Sequence, residues 1–147
     1  MTRIISFNWT TPALLADRKH CTRRDWADDY ARRFKANEVC QAWDHQPRTG
    51  KGRKMADIRL TEKPHWEALA DMPDSDYEEE GFKFFAEHPH LLPEQSGPVG
   101  TSFEYFQAWR LQPGGMWVVR LQLEDIVESA FQEILGGIVP KPEVAYV

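Results

Sequence analysis

The chain has 147 residues, 41% of them hydrophobic, which is enough apolar side chain for one core and one domain. A net charge of −5 argues against tight non-specific binding to long duplex DNA, and no run of eighteen apolar residues predicts a membrane span. Cys21 and Cys40 fit neither a disulfide framework nor a zinc spacing, and the N-terminus shows no basic-then-apolar leader, so a reduced, cytoplasmic setting is expected, with no metal or cofactor.

Ile4-Ile5-Ser6-Phe7 reads as a short first strand. Thr11 and Pro12 predict a helix start, Thr11 capping with its hydroxyl and Pro12 in the first turn, with the helix stopping near Arg18. Cys21-Thr22-Arg23-Arg24 is an exit turn or short strand. Trp26, Tyr30 and Phe34 recur at spacing four, which predicts a second helix over 26–34. Val39–Trp43 reads as a strand. Residues 46–54, with Pro47, Gly50 and Gly52 among basic residues, form a hairpin-type loop. Met55–Thr61 alternates as a half-buried strand does, and a short turn is expected around Trp66–Leu69.

Asp74 or Ser75 predicts a cap for a helix starting near Asp76, with Glu78, Glu79 and Glu80 early in it, where the positive end of the dipole favours carboxylates. Phe82, Phe84 and Phe85 should face inward from that helix or its successor. Pro89, Pro93, Gly97, Pro98 and Gly100 make 89–100 a loop, and 102–111 is an amphipathic helix. Pro113-Gly114-Gly115 turns the chain into the clearest strand, 116–123, with Trp117, Val119, Leu121 and Leu123 on one face. Residues 125–135 read as a helix before a Pro-rich tail. Short strands interrupted by helices predict an α+β mixed barrel. They do not suit a doubly wound parallel sheet, and neither a Walker A sequence nor GxGxxG occurs.

The net charge conceals an asymmetry: residues 1–60 hold 13 Lys/Arg against 7 Asp/Glu, and residues 61–147 hold 5 against 16. This predicts an anion-binding face on an acidic protein. Lys19, Thr22, Arg23 and Arg24 are its densest part. In a strand, Thr22 and Arg24 point one way and Arg23 the other. If Lys19 reaches the same mouth, an ammonium, a hydroxyl and a guanidinium converge on a phosphate or carbonyl oxygen. The alternative is an exposed basic turn pairing with Asp25, Asp28 or Asp29. Trp9, Trp26 and Trp43 lie near basic residues as stacking candidates, Trp43 foremost because Asp44, His45 and the basic loop follow it. Arg48, Lys51, Arg53 and Lys54 would form a basic finger beside the cleft. Metal chemistry is not expected: His88-x-His90 is interrupted by Pro89, and His20, His45 and His65 are scattered.

Residues 4–24 resemble the opening of ASCH-domain proteins, a PUA-like family, in its small bacterial or phage form. The family's G-x-K-x-x-x-x-R motif falls on Asp17, Lys19 and Arg24, with Asp17 in place of Gly. Further anchors are Trp43-Asp44, Ile58–Thr61, Asp71-Met72-Pro73, Asp76–Phe82 and Trp117–Arg120, so the resemblance covers about residues 4–123. It implies a PUA-like (ASCH) mixed β-barrel of about five to six strands surrounded by short helices. Residues 1–123 would be the domain and 124–147 an extension packed on it or trailing from it. The function implied is binding of RNA, single-stranded nucleic acid or a nucleotide in a basic cleft around Lys19–Arg24. The alternative is a hydrolase, either an N4-acetylcytidine-type amidohydrolase acting on a modified nucleoside or a ribonuclease. For the amidohydrolase the resemblance places the Lys and Thr on Lys19 and Thr22 and the Glu on Glu80, with Glu79 next. A lysine of lowered pKa would deprotonate the threonine or a water, and the carboxylate would shuttle protons.

Overall fold

The computed structural model describes residues 2–93 and 100–147. Along the chain run β1 (Ile4–Ser6), α1 (Thr11–Leu15), β2 (Cys21–Arg24), α2 (Asp28–Ala31), β3 (Val39–Trp43), β4 (Lys54–Leu60) and β5 (His65–Ala68). There follow α3 (Asp76–Glu79), α4 (Phe82–Glu87), α5 (Phe103–Arg110), β6 (Gly115–Ile126), α6 (Glu128–Leu135) and β7 (Ala145–Tyr146). The strands form one curled, half-barrel sheet in the order β1-β3-β4-β6-β2, with β5 and β7 also paired to β6. β1 lies parallel to β3, and the β3–β4 hairpin is antiparallel.

The twelve residues of β6 organise the sheet. Their first half runs between β2 and β5, their second between β4 and β7. Register shifts at Ala42/Trp43 and Asp57/Ile58 bend the strands, as bulges do, and help the sheet curl. The inward face of β6, Val119, Leu121 and Leu123, packs with Leu14 and Leu15 of α1, Phe84 and Phe85 of α4, and Phe131 and Leu135 of α6. A second, aromatic cluster joins Leu69, Met72, Phe82 and Phe106, flanked by Trp9, Tyr77 and Trp109. β6 runs through position 123 without a break, and the following residues enter the main core through α6. No helix among the described residues is long and apolar enough to cross a membrane.

Four local expectations need correction. Thr11 does not cap: a 3-10 turn over Asn8–Thr10 precedes α1, and the Thr11 hydroxyl donates to the Asn8 carbonyl at 2.7 Å. The helix expected over 26–34 is the single turn α2, since Ala27 is extended and the chain turns again before Asn37, which has φ +67°. The periodicity instead marks a shared aromatic face, with Trp26 and Phe34 stacked at 4.5 Å and Tyr30 edge-on to both. Ser75 precedes α3 without a side-chain cap, because the carbonyls of Pro73 and Asp74 already accept the N–H groups of Asp76 and Tyr77.

The fourth correction concerns the turn expected at Trp66–Leu69. Residues 65–68 are strand β5, and Trp66 pairs with Trp117. The partner lies far along the chain, and Gly115 makes the close approach possible: a Cβ there would sit 2.4 Å from the Glu67 carbonyl and the Trp66 ring. Of the loop expected over 89–100, Pro89–Leu91 forms a 3-10 turn, while Gly97 and Pro98 lie outside the described residues.

Candidate functional site

The segment after α1 places four consecutive partners. Asp17, two residues past the end of α1, stands in the left-handed region at φ +59°, where the motif that it resembles has glycine. The Asp17 carboxylate then meets His20 Nε2 at 2.8 Å, and His20 Nδ1 faces Glu79 at 3.1 Å. Arg18 reaches Glu78 and Glu87. Lys19 turns inward, and its Nζ donates to the Glu80 carbonyl at 2.8 Å and lies 3.2 Å from Glu80 Oε1. Lys19 and Glu80 are both buried.

Gly81 makes this meeting possible. It joins α3 to α4 at φ +98°, and a Cβ there would lie 3.0 Å from Ala13 Cβ. Only glycine takes this backbone without strain, so the α3–α4 corner can press Glu80 against Lys19.

β2 splits its side chains as alternation predicts. Thr22 and Arg24 share one face: Arg24 Nε donates to Thr22 Oγ1 at 3.0 Å, and Arg24 Nη2 donates to the Ser6 carbonyl at 2.6 Å. Arg23 faces a buried acidic set instead. It donates to Glu80 Oε2 at 2.8 Å, to Glu67 Oε1 at 2.7 Å and to Asp76. Arg120 completes the set with a two-pronged contact to Asp76, at 2.6 and 2.9 Å. None of Lys19, Arg23 or Arg24 pairs with Asp25, Asp28 or Asp29, which disposes of the exposed-turn alternative. Asp28 accepts the Trp117 indole N–H instead.

The electrostatics follow from this wiring. Burial would raise the Asp76 pKa, but hydrogen bonds from Arg120 and Arg23 outweigh it and hold the carboxyl below its ordinary value. Burial would lower Arg23, and Glu80 with the other acids overcomes it and raises the guanidinium further. Arg24 moves the other way: burial lowers it, with only a partial counterweight from the field of Glu80. Four cations (Lys19, Arg23, Arg24, Arg120) face three carboxylates (Glu67, Asp76, Glu80), and the unmatched charge sits on Arg24. No carboxylate lies within 4.0 Å of Arg24 among the described residues, and its Nη1 has no hydrogen-bond partner there.

Lys19, Thr22, Arg23, Arg24 and Glu80 border one cavity of about 260 Å³, roofed by the Asn8–Thr10 turn and walled by Trp9 and Phe82. The other expected residues stand outside it. Trp43 borders no part of this cavity, and its indole N–H donates to Gln41 at 2.9 Å. Arg53 pairs with Glu133 and Asp44, and Lys54 with Asp57. Arg48 and Lys51 have no side-chain partner among the described residues. The root of this basic loop does touch the cavity rim, since Gln46 donates to the Ser6 hydroxyl at 2.9 Å. No cluster of three His, Cys, Asp or Glu suited to a metal occurs among the described residues.

Asp76, Glu67 and Arg120 were not singled out as functional from the sequence. Arg120 had one legible sign: in β6 it points opposite to the apolar face of Val119 and Leu121.

No family model matches the chain. No curated protein matches it either. Among solved structures it is similar to protein EF3133 from Enterococcus faecalis V583, of the family DUF984, at 18% sequence identity and a TM-score of 0.48, over 84% of this chain and 80% of that one.

Proposed function

We propose that the Lys19–Arg24 cavity binds a single nucleoside or nucleotide unit, free or within single-stranded RNA, in a cytoplasmic domain of the ASCH, PUA-like type. The observation that carries this reading is Arg24, a half-buried guanidinium without a carboxylate partner among the described residues, beside the Thr22 hydroxyl. A buried charge is costly unless paired, and a phosphate or carbonyl oxygen would supply the missing acceptor. A cavity of about 260 Å³ suits one such unit and not a duplex. Arg48 and Lys51, on the loop rooted at Ser6, would extend the positive field toward flanking phosphates.

The test is affinity for a short single-stranded RNA. Arg24→Ala should weaken it at least about tenfold, the worth of one hydrogen bond to a charged group, and wild-type affinity should fall as salt rises. Unchanged affinity in Arg24→Ala, or binding indifferent to salt, would overturn the reading.

A second reading, hydrolysis, is favoured by one contact: the Glu80 carboxylate lies 3.2 Å from Lys19 Nζ, in the cavity that holds Thr22. In an N4-acylated cytidine, the Glu80 carboxylate, held by Lys19, would take the proton from a water attacking the amide carbonyl, or from the Thr22 hydroxyl, whose acyl ester a water would then hydrolyse. Arg24 would stabilise the tetrahedral oxyanion, the C–N bond would break, and the departing amine would receive the proton. Net, one water is consumed and cytidine and a carboxylic acid are released. Incubation with N4-acetylcytidine should then yield cytidine, and Lys19→Ala or Glu80→Gln should abolish the product. No cytidine after prolonged incubation removes this reading, and cleavage of the RNA itself would point to phosphodiester chemistry instead.

A further inference from the structure

The polar cavity does not end at its aromatic wall. Trp9, Phe82 and Trp109 also border a second cavity of about 310 Å³, closed by Tyr105, Ala108 and Gln112. Residues 105, 108, 109 and 112 follow helical spacing, so α5 and the turn after it present one face to this space. Phe82 stands at the junction, with ring centroids 6.5 Å from Trp9 and 5.8 Å from Trp109. Lys19, Arg23, Arg24 and Glu80 border the first lobe, and among the described residues no charged side chain borders the second. Tyr105 leaves 48% of its surface exposed.

A nucleotide is divided in the same way, into an anionic sugar-phosphate and a planar, uncharged base. We infer that the second lobe is the base platform: the sugar-phosphate lies at Arg24 and Thr22, and the base enters between the rings of Trp9, Trp109 and Tyr105. The Gln112 amide and the Tyr105 hydroxyl border this lobe, both able to donate to and accept from a base edge. Stacking on such rings tolerates any base, because every base presents a π face. The platform expected at Trp43 is thereby moved to Trp9, Trp109 and Tyr105, since Trp43 borders neither lobe.

This inference rests on the nucleotide-binding reading, and the experiment separates the two. Titration calorimetry compares cytidine 5′-monophosphate with ribose 5-phosphate, which lacks the base, on the wild type, Trp109→Leu, Trp109→Phe and Tyr105→Ala. Wild type should bind the nucleotide about tenfold tighter than the sugar phosphate. Trp109→Leu and Tyr105→Ala should each erase most of that margin, and Tyr105→Ala, which lies outside the first lobe, should leave sugar-phosphate affinity unchanged, while Trp109→Phe, which keeps a ring, retains the margin. Tyr105 is half exposed, so its variant reports on the platform even if Trp109→Leu folds poorly. Equal affinity for the two ligands, or a full margin in both ring-deleting variants, overturns the platform and leaves binding at Arg24 standing. Failure of the wild type to bind either ligand overturns both.

Discussion

Asp76 and Arg24 sit at opposite ends of the same charge balance. Asp76 is 1% exposed and receives both Arg23, which Glu80 also holds, and Arg120. Asp76→Asn should cost about 3 kcal/mol in denaturant unfolding, because it leaves the buried Arg23 and the half-buried Arg120 short of an anion. The sign of the pH dependence follows from a folded-state pKa below the ordinary value of 3.8. The stabilisation is complete above that value and is lost as pH falls through the lower folded pKa, so the gap between Asp76→Asn and wild type should close only in strong acid. A gap that closes between pH 5 and 7 would contradict this wiring. Lys19, Thr22 and Arg24 were legible in the sequence, because six residues and strand alternation determine how they face. Asp76 and Arg120 were not, since their contacts to each other span 44 positions and reflect the meeting of α3 with β6.

The elements that place these side chains are short, and their corners matter more than their lengths. Gly81 is the clearest case, with φ at +98° and Ala13 Cβ 3.0 Å from where a side chain would begin. Gly81→Ala should destabilise the fold by more than about 1 kcal/mol, read as a lowered melting temperature, and should weaken ligand binding by drawing Glu80 away from Lys19. An unchanged melting temperature would show that the α3–α4 corner relaxes freely. The alternating strands β3, β4 and β6 could be read directly, because half-burial writes period two into the sequence. β5 could not. Its short segment carries little pattern of its own, and pairing with Met116 and Trp117 decides its state. The one-turn α2 was over-extended for the opposite reason: aromatic residues at spacing four also arise when a turn folds three rings onto one cluster.

Across the whole molecule, the charge asymmetry of the sequence is largely internal complementarity. Arg18, Lys19, Arg23, Arg53 and Arg59 of the basic half pair with Glu78, Glu80, Asp76, Glu133 and Glu124 of the acidic half. Of the basic-half cations without an ion pair among the described residues, Arg24 borders the cavity and Arg48 and Lys51 stand on the loop at its rim, so binding to single-stranded RNA should show a shallow salt dependence, a log–log slope of about −2. A slope several times steeper would require a broad basic face and contradict a local cavity. The two halves also share one core through α6, whose Phe131 is 1% exposed. Phe131→Ala should therefore cost about 3–5 kcal/mol in global unfolding, as deletion of a core ring does, with a single cooperative transition.

The account stands most directly on where a ligand lands. In an amide and indole NMR titration with cytidine 5′-monophosphate, the largest shifts should fall on Lys19, Thr22 and Arg24 and on the Trp9 and Trp109 indoles, and be absent in Arg24→Ala. Shifts confined to Arg48–Lys54 and Trp43, or none at saturating nucleotide, would contradict it.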